Sequence, residues 1–271
     1  DIPSFSYQFS FEQSADWSRT YAKGHELKAY AEHCVDKYGL RDRIRFGTEV
    51  TGAEYDDAAD LWRVHTSGGT ITARFLINGS GVLTVPKPPD IDGVNDFAGI
   101  TLHTARWDSS IDLRGKRVAI IGTGASAVQV IPEIAPVVEH LTVFQRTPIW
   151  CFPKLDLPLP AAARWAMRVP GGKTLQRLAS QAYVELTFPL SAQYYSVFPL
   201  ADGAARMGRS FLRREVHDPV VRDKLTPRYA VGCKRPGFHN TYLATYNREN
   251  VSLVTESIER ITPTGVRTAD G

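Results

Sequence analysis

The chain has 271 residues, of which 43% are hydrophobic and 23% charged, proportions typical of a soluble globular protein long enough for one large or two modest domains. Its formal net charge is only +3 and its Lys and Arg residues are scattered, so we expect no nucleic-acid partner. No apolar stretch is long enough to cross a bilayer and no signal peptide opens the chain, so we expect no membrane partner and a cytoplasmic location.

Three widely separated cysteines, Cys34, Cys151 and Cys233, indicate neither a disulfide framework nor a zinc site. We expect buried, reduced thiols and no bound metal. The chain starts without Met and ends on a turn-like Thr268 to Gly271 that has no return strand. We therefore expect it to be an internal piece of a longer protein.

The first third of the chain predicts one helix and then a small antiparallel sheet. Residues 24–38 carry apolar side chains at helical spacing, and Gly39 is a helix-stop signal. Three runs typical of β-strands follow, at 44–55, 61–66 and 70–78, separated by Asp-Asp and Gly-Gly turns. This pattern predicts an antiparallel meander, whose third run leads into small residues that let a backbone approach a ligand.

The rest of the chain alternates between breaks and short elements. Residues 84–93 (TVPKPPDIDG) are rich in proline and predict a crossing between domains. Residues 151–230 contain several proline breaks between helical pieces and predict an irregular, mostly helical insertion. Short strands are expected again beyond Gly237.

The segment KRVAIIGTGASAVQVIPEIA predicts a dinucleotide-binding turn. A short buried strand, Val118 to Ile121, runs into Gly122-Thr123-Gly124-Ala125-Ser126-Ala127, which fits G-x-G-x-x-A and is followed by Val128 in the helix. Gly122 would permit the turn, Gly124 would leave room for a pyrophosphate, and Ala127 would allow close packing of the helix on the strand. Pro132 is expected to kink that helix. The alternative is a merely structural βα turn.

The end of the next strand, LTVFQ, favours one nicotinamide cofactor. Domains that bind NAD commonly have Asp or Glu there, bonded to the ribose 2′-hydroxyl. This chain has Gln145-Arg146-Thr147, and a guanidinium can hold a 2′-phosphate through charge-assisted hydrogen bonds. We therefore predict NADP(H), with Arg146 and Thr147 at the 2′-phosphate, against the alternative of a solvated surface arginine.

Just upstream of the glycine loop lies Phe97-x-Gly99-x-x-x-His103-Thr104-x-x-Trp107-Asp108. This run resembles the fingerprint of type I Baeyer–Villiger monooxygenases, flavoproteins that use FAD and NADPH. Flavin-containing monooxygenases usually have Tyr or a similar residue at the position of Trp107, so the resemblance favours the Baeyer–Villiger branch. Asp108 departs from the Pro that often ends the family motif.

The resemblance extends over most of the chain and is weakest in the helical insertion. It includes DIPSFSYQFSFEQSADWSRTYA, GTGASAVQVIPEIA, VFQRTP, CKRPGF and YNRENVSLV. It implies an α/β fold with two Rossmann-like dinucleotide-binding domains, the FAD domain partial and the NADPH domain nearly complete. Residues 1–86 and the truncated 236–271 would belong to the FAD domain, and residues 87–235 would form the NADPH domain with the insertion at about 151–230.

The resemblance also implies roles for individual residues. Arg235 matches the family arginine that stabilises a negatively charged peroxyflavin, and Asp1 matches the aspartate that pairs with this arginine. Lys234 matches a residue that assists binding of the NADPH phosphate.

Four further positions match family residues near the cofactors. Tyr7 and Val50 align with positions that contact FAD, Val50 through its backbone. His103 and Trp107 would lie near the hinge between domains and organise domain movement and cofactor placement rather than act as acid–base catalysts.

The reaction that the resemblance implies starts with hydride transfer from NADPH to FAD. The reduced flavin reacts with O₂ to give a C4a-peroxide, which inserts one oxygen atom into a ketone to yield an ester or lactone. A fixed arginine cation suits such a peroxide anion in a poorly solvated pocket. The first FAD-binding glycine motif of the family precedes Asp1, so we expect the 271 residues alone to bind FAD poorly and to lack oxygenase activity.

Three alternatives stay open at this point. A related flavin-containing enzyme could oxygenate nitrogen or sulfur instead. A flavin-free NADP dehydrogenase is disfavoured because the chain has no Tyr-x-x-x-Lys pair. A non-catalytic, NADP-binding redox module is the alternative from another class of protein. The particular ketone and the oligomeric state do not follow from the sequence.

Overall fold

A computed structural model describes residues 2–81, 83, 85–187 and 200–270. Asp1, which was predicted to pair with the active-site arginine, lies outside the described residues. The chain forms two compact units, one of residues 23–86 and one that joins the N-terminal 22 residues to residues 87–271. The boundary at residue 86 falls within the proline-rich segment. Because compactness does not show which cofactor a unit binds, the division into FAD and NADPH parts stays a prediction.

The smaller unit contains the predicted helix and the predicted meander. Helix α1 spans Gly24–Lys37 and ends before Gly39, whose φ of 61° lies in the left-handed region. Strands β1 (Val50–Asp56), β2 (Leu61–Thr66) and β3 (Gly69–Ala73) pair antiparallel in the order β1-β2-β3. The meander is therefore confirmed.

Two strand bounds in this unit differ from the prediction. The first strand begins only at Val50, because Gly47 takes a left-handed turn with a φ of 61°. The third ends at Ala73 rather than Asn78. Phe75 and Ile77 beyond it are 77% and 91% exposed, and no described strand pairs with this stretch.

The core of the larger unit is a three-stranded parallel sheet with one helix after its first strand. Strand β4 (Arg117–Ile121) leads through the glycine loop into helix α2 (Ala125–Ile134), and β5 (His140–Phe144) follows. Strand β8 (Val251–Val254) returns late in the chain and pairs with β5, which gives the order β4-β5-β8. Helix α2 continues through Pro132 for two more residues, and the expected kink at Pro132 stays a prediction.

The predicted insertion is mostly helical. It contains α3 (Ala161–Arg168), α4 (Gly172–Thr187), α5 (Leu200–Glu215) and α6 (Pro219–Lys224). Its first two residues form strand β6 (Cys151–Phe152), which pairs in parallel with β7 (Gly237–Phe238). The short helix α7 (Tyr242–Thr245) comes next, and a hairpin of β9 (Ile258–Thr262) and β10 (Gly265–Thr268) ends the described chain.

The main hydrophobic core lies between α2, the parallel sheet and the insertion. Ile131 on α2 and Leu141 and Val143 on β5 are fully buried, as is Val216 just after α5. Gly237 on β7 adjoins α2 so closely that an added Cβ would lie 3.3 Å from a Val128 methyl group. The parallel sheet, α2 and the described part of the insertion therefore share one hydrophobic core.

Of the three thiols, Cys34 and Cys151 are buried as expected. Burial raises the pKa of Cys151 to about 12. Cys233 is exposed, so the prediction of burial is wrong for this residue, which lies in the irregular stretch before β7. No helix within the described ranges is long and apolar enough to cross a membrane. The predicted α/β class, with its meander and mostly helical insertion, is confirmed.

Candidate nucleotide-binding site

The glycine loop lies at the carboxyl end of β4, where a parallel sheet typically binds its ligand. Ile121 pairs with Phe144, so β4 and β5 end at the same edge, and the Gly122 N–H donates to the Phe144 carbonyl at 2.9 Å. Gly122 has a φ of 102°, a conformation that side-chain-bearing residues rarely adopt. The loop therefore needs glycine at its first position for a backbone reason.

Gly124 serves a different purpose from Gly122. Its φ of −71° suits any residue, and it is the N-cap of α2. A Cβ added at Gly124 would meet nothing within 4 Å, so the space above the first turn of α2 is open. The backbone N–H groups of that first turn have no partner within the helix, and together with the helix dipole they favour an anion in this space.

The rest of the motif packs inward. Ala127 and Val128 lie on the buried face of α2, as the small third motif position predicts. Thr123 is buried and its hydroxyl donates to the Thr147 carbonyl at 3.1 Å. This bond joins the glycine loop directly to the segment that follows β5.

Arg146 and Thr147 line a cleft of about 430 Å³ at the carboxyl end of β5. Its opposite wall comes from the end of α6 and the turn after it, and includes Lys224, Arg228 and Tyr229. Lys224 is ion-paired with Glu256 at 3.5 Å, and Arg228 with Asp223 at 3.2 Å. The sequence prediction missed this wall, although the basic residues that precede CKRPGF were a signal that could have revealed it.

Gln145 closes the floor of the cleft. Its side-chain N–H donates to the Lys224 carbonyl at 2.7 Å, and its backbone N–H donates to the Val254 carbonyl at 2.8 Å. Its buried Oε1 has no hydrogen-bond partner among the described residues. An unpaired buried acceptor is costly.

Arg235 lies beside the start of α2. It lines a second, smaller cavity of about 130 Å³ with Ala125, Val128 and Gln129. The ammonium group of Lys234, the residue before it, lies 5.4 Å from the centre of the Tyr229 ring. The structure thus brings Arg235 next to the glycine loop and connects Lys234, through Tyr229, to the larger cleft.

The remaining predicted residues lie on exposed segments. His103 caps a single 3₁₀ turn (Thr104–Arg106), because its Nδ1 accepts from the Ala105 N–H at 3.1 Å, and Trp107 ends that turn 42% exposed. Tyr7, in the larger unit, and Val50, in the smaller, both have exposed side chains. The roles of all four residues at the cofactors stay predictions.

Part of the His103 motif has a local steric cause. A Cβ added at Gly99 would lie 2.6 Å from a Phe97 ring carbon, so the Phe-x-Gly spacing allows the ring to fold back over its own backbone. Asp108 accepts from both the backbone N–H and the hydroxyl of Ser110, and these bonds lower the pKa of its carboxyl group. Asp108 therefore forms a stable turn where the family motif often has Pro.

Comparisons with known proteins show which family this chain resembles. The family model described as pyridine nucleotide-disulphide oxidoreductase matches residues 2–157. A curated relative named Baeyer-Villiger monooxygenase, from Streptomyces coelicolor, is 37% identical over the whole chain, which covers 52% of that relative.

Two solved structures are similar over the whole chain and were determined with bound small molecules. An ε-caprolactone-bound cyclohexanone monooxygenase shares 30% identity at a TM-score of 0.86. The complex of OTEMO with FAD and NADP shares 29% identity at a TM-score of 0.82. The chain covers 60% of each of these structures and about half the length of the curated relative. The resemblance to Baeyer–Villiger monooxygenases is thus confirmed, and the chain belongs to the pyridine nucleotide-disulphide oxidoreductase family.

Proposed function

We propose that this chain is the NADPH-binding part, with an adjoining part of the FAD domain, of a flavin-dependent monooxygenase that converts ketones into esters or lactones with O₂. The observation that carries the proposal is the position of Arg146 and Thr147. Both line a cleft directly beside a glycine loop at the carboxyl ends of parallel strands. The names of the similar proteins, which include a lactone-bound ketone monooxygenase, support the reaction class.

The described residues fit NADP(H). The free amides of α2 and the open space at Gly124 suit a pyrophosphate. Arg146, Lys224 and Arg228 make the larger cleft predominantly cationic, with Asp223 as its acidic member. A 2′-phosphate carries about two negative charges near neutral pH, and it would gain charge-assisted bonds there that a 2′-hydroxyl would not.

FAD is a separate case. The described residues contain one glycine loop of this type, and Tyr7 and Val50 belong to different compact units. When bound, FAD would be the group that reacts with O₂, as in flavoprotein chemistry generally. We infer that Arg235 provides a fixed positive charge for that chemistry, because it matches the family arginine and lines the smaller cavity at the start of α2. Asp1 as its partner, and the cytoplasmic location, stay predictions.

A binding experiment tests the nucleotide assignment. We expect the protein to bind 2′,5′-ADP more tightly than 5′-ADP in isothermal titration calorimetry, and Arg146→Ala to remove most of that preference. Losing charge-assisted bonds of about 2 kcal/mol corresponds to roughly 30-fold in affinity for 2′,5′-ADP. The matched control is Arg117→Ala, at the opposite end of the parallel strands, which should leave both affinities unchanged. Equal binding of the two nucleotides by the unmodified protein would contradict the NADP(H) assignment.

A product experiment on the full-length protein tests the reaction. Supplied with NADPH and FAD, it should convert a cyclic ketone to a lactone, and Arg235→Ala should abolish this conversion while NADP⁺ binding persists. A thioether offered in parallel separates the alternatives. Sulfoxide without lactone would indicate a nitrogen- or sulfur-oxygenating enzyme, and neither product would favour the non-catalytic module.

A further inference from the structure

Two hydrogen bonds hold Tyr229 in place. Its hydroxyl donates to the Pro148 carbonyl at 2.9 Å, two residues beyond Arg146. Its own carbonyl accepts from the Trp150 indole N–H, also at 2.9 Å. The ring therefore has a fixed position relative to the strand end that bears Arg146 and Thr147.

The second anchor is itself rigid. Trp150 is 3% exposed and stacks on Phe152, with ring planes 8° apart. Gly208 of α5 packs against the same indole so closely that an added Cβ would lie 2.8 Å from it. Through Trp150, the insertion thus sets the position of the cleft wall that contains Tyr229.

The face of the Tyr229 ring holds a cation. The Lys234 ammonium lies 5.4 Å from the ring centre, a distance at which cation–π attraction at a partly exposed site contributes about 0.5–1 kcal/mol. A free lysine side chain loses about 2 kcal/mol of rotamer entropy when it is fixed on a ligand. A lysine already held at the cleft wall loses less rotamer entropy, so the entropic cost of its binding a phosphate is smaller.

The phenol stays neutral near pH 7. Burial is the largest cause that raises the pKa of Tyr229, and the O–H therefore continues to donate to Pro148. A phenolate would lose this bond. The arrangement of ring, carbonyl and lysine is accordingly constant across the neutral range.

We propose that Tyr229 is a positioning residue for nucleotide selection, which holds the Lys234 ammonium at the wall of the Arg146 cleft and so increases the preference for a 2′-phosphorylated adenosine. This inference rests on the proposed function, because it assumes that the cleft takes the adenosine end of NADP(H). It differs from it in assigning part of the selectivity to an aromatic residue that makes no charged contact itself.

The experiment compares Tyr229→Phe with pentafluorophenylalanine at the same position, using affinities for 2′,5′-ADP and 5′-ADP. Both rings have nearly the same shape and both lack the hydroxyl, but fluorination removes the negative ring face that attracts a cation. Tyr229→Phe loses the bond to Pro148 but keeps the second anchor, at the backbone carbonyl of residue 229, so we expect it to keep its preference for 2′,5′-ADP within about twofold. The fluorinated ring should lose about two- to fivefold of that preference, which corresponds to 0.5–1 kcal/mol. Affinity for 5′-ADP should not change between the two.

A double variant separates the proposed role from a purely structural one, because only the proposed role depends on the Lys234 ammonium. In a Lys234→Gln background the two rings should give equal preferences, because no ammonium is present to be held. Equal preferences in the Lys234 background, or an unequal pair in the Lys234→Gln background, would overturn the inference. These results are distinct from failure of the proposed function, in which the unmodified protein already binds 2′,5′-ADP and 5′-ADP equally.

Discussion

Helix α5 contains two glycines whose surroundings differ, and this difference allows a quantitative test of the packing behind the cleft. A Cβ at Gly208 would lie 2.8 and 3.0 Å from Trp150 ring carbons and 3.1 Å from a Phe152 ring carbon. A Cβ at Gly203 would meet nothing within 4 Å. Both positions lie in the same helix, so Gly→Ala at either site gives the same gain in intrinsic helix propensity, about 1 kcal/mol.

The two alanine variants should therefore change stability in opposite directions. At Gly203 only the propensity gain applies, and we expect stabilisation of about 0.5–1 kcal/mol. At Gly208 the methyl group must displace a buried indole that is bonded to the Tyr229 carbonyl, and overpacking of this kind costs about 1–3 kcal/mol. The net expectation for Gly208→Ala is destabilisation of up to about 2 kcal/mol, with weaker binding of 2′,5′-ADP because Tyr229 shifts with Trp150.

Urea unfolding followed by tryptophan fluorescence measures both free energies of unfolding. Calorimetry on each variant at a temperature well below its transition gives the affinity. If Gly208→Ala were as stable as Gly203→Ala, the close approach of α5 to Trp150 would be wrong. If Gly208→Ala were destabilised but bound 2′,5′-ADP normally, the inference that α5 determines the position of Tyr229 through Trp150 would be wrong.

Three further predictions concern the loop, a histidine and the thiols. Gly124→Ala should leave the melting temperature unchanged yet weaken NADP⁺ binding at least tenfold, whereas Gly122→Ala should also destabilise the protein by about 1–3 kcal/mol because of its positive φ. His239 accepts from the Tyr242 N–H through Nδ1, and burial and the nearby Lys154 charge lower the pKa of its imidazole. The free energy of unfolding should therefore fall as pH decreases from about 6.5, the pKa of histidine in the unfolded chain, towards the lowered pKa of the folded state. His239→Asn retains an acceptor and should flatten this pH dependence in urea unfolding between pH 7 and 5. An unchanged pH dependence would contradict the assignment. A colorimetric thiol reagent should label one cysteine rapidly in the folded protein, and Cys233→Ser should abolish that fast phase; two fast phases in the unmodified protein would contradict the burial of the other thiols.

The sequence predicted the local backbone structure around the glycine loop. The strand, the two glycines and the helix that follows them are adjacent in the chain, and each has a backbone reason that can be recognised from residue type. Parallel pairing of β4 and β5 then places Arg146 beside the loop. These elements were predictable because their geometry depends on short-range chain connectivity.

The opposite wall of the cleft was not predictable in the same way. The basic residues Lys224 and Arg228 were a signal in this segment, but no motif says which part of the fold they face. Lys224 reaches the cleft through the bond from the Gln145 side chain to its carbonyl, 79 residues away in sequence. The overextended third strand has a related cause. An apolar run such as residues 74–78 has strand propensity, but a strand forms only where a neighbour supplies hydrogen bonds.

The late return of β8 has a consequence for biosynthesis. Leu141 pairs with Val251, so the strand that completes the parallel sheet emerges from the ribosome about 110 residues after its partner. At a translation rate of about 5–20 residues per second, β5 waits for several seconds or more with one edge uncovered. The uncovered edge of β5 is thus exposed to non-native pairing during synthesis. We expect chaperone occupancy of the nascent chain to end once the segment containing Val254 has emerged from the ribosome.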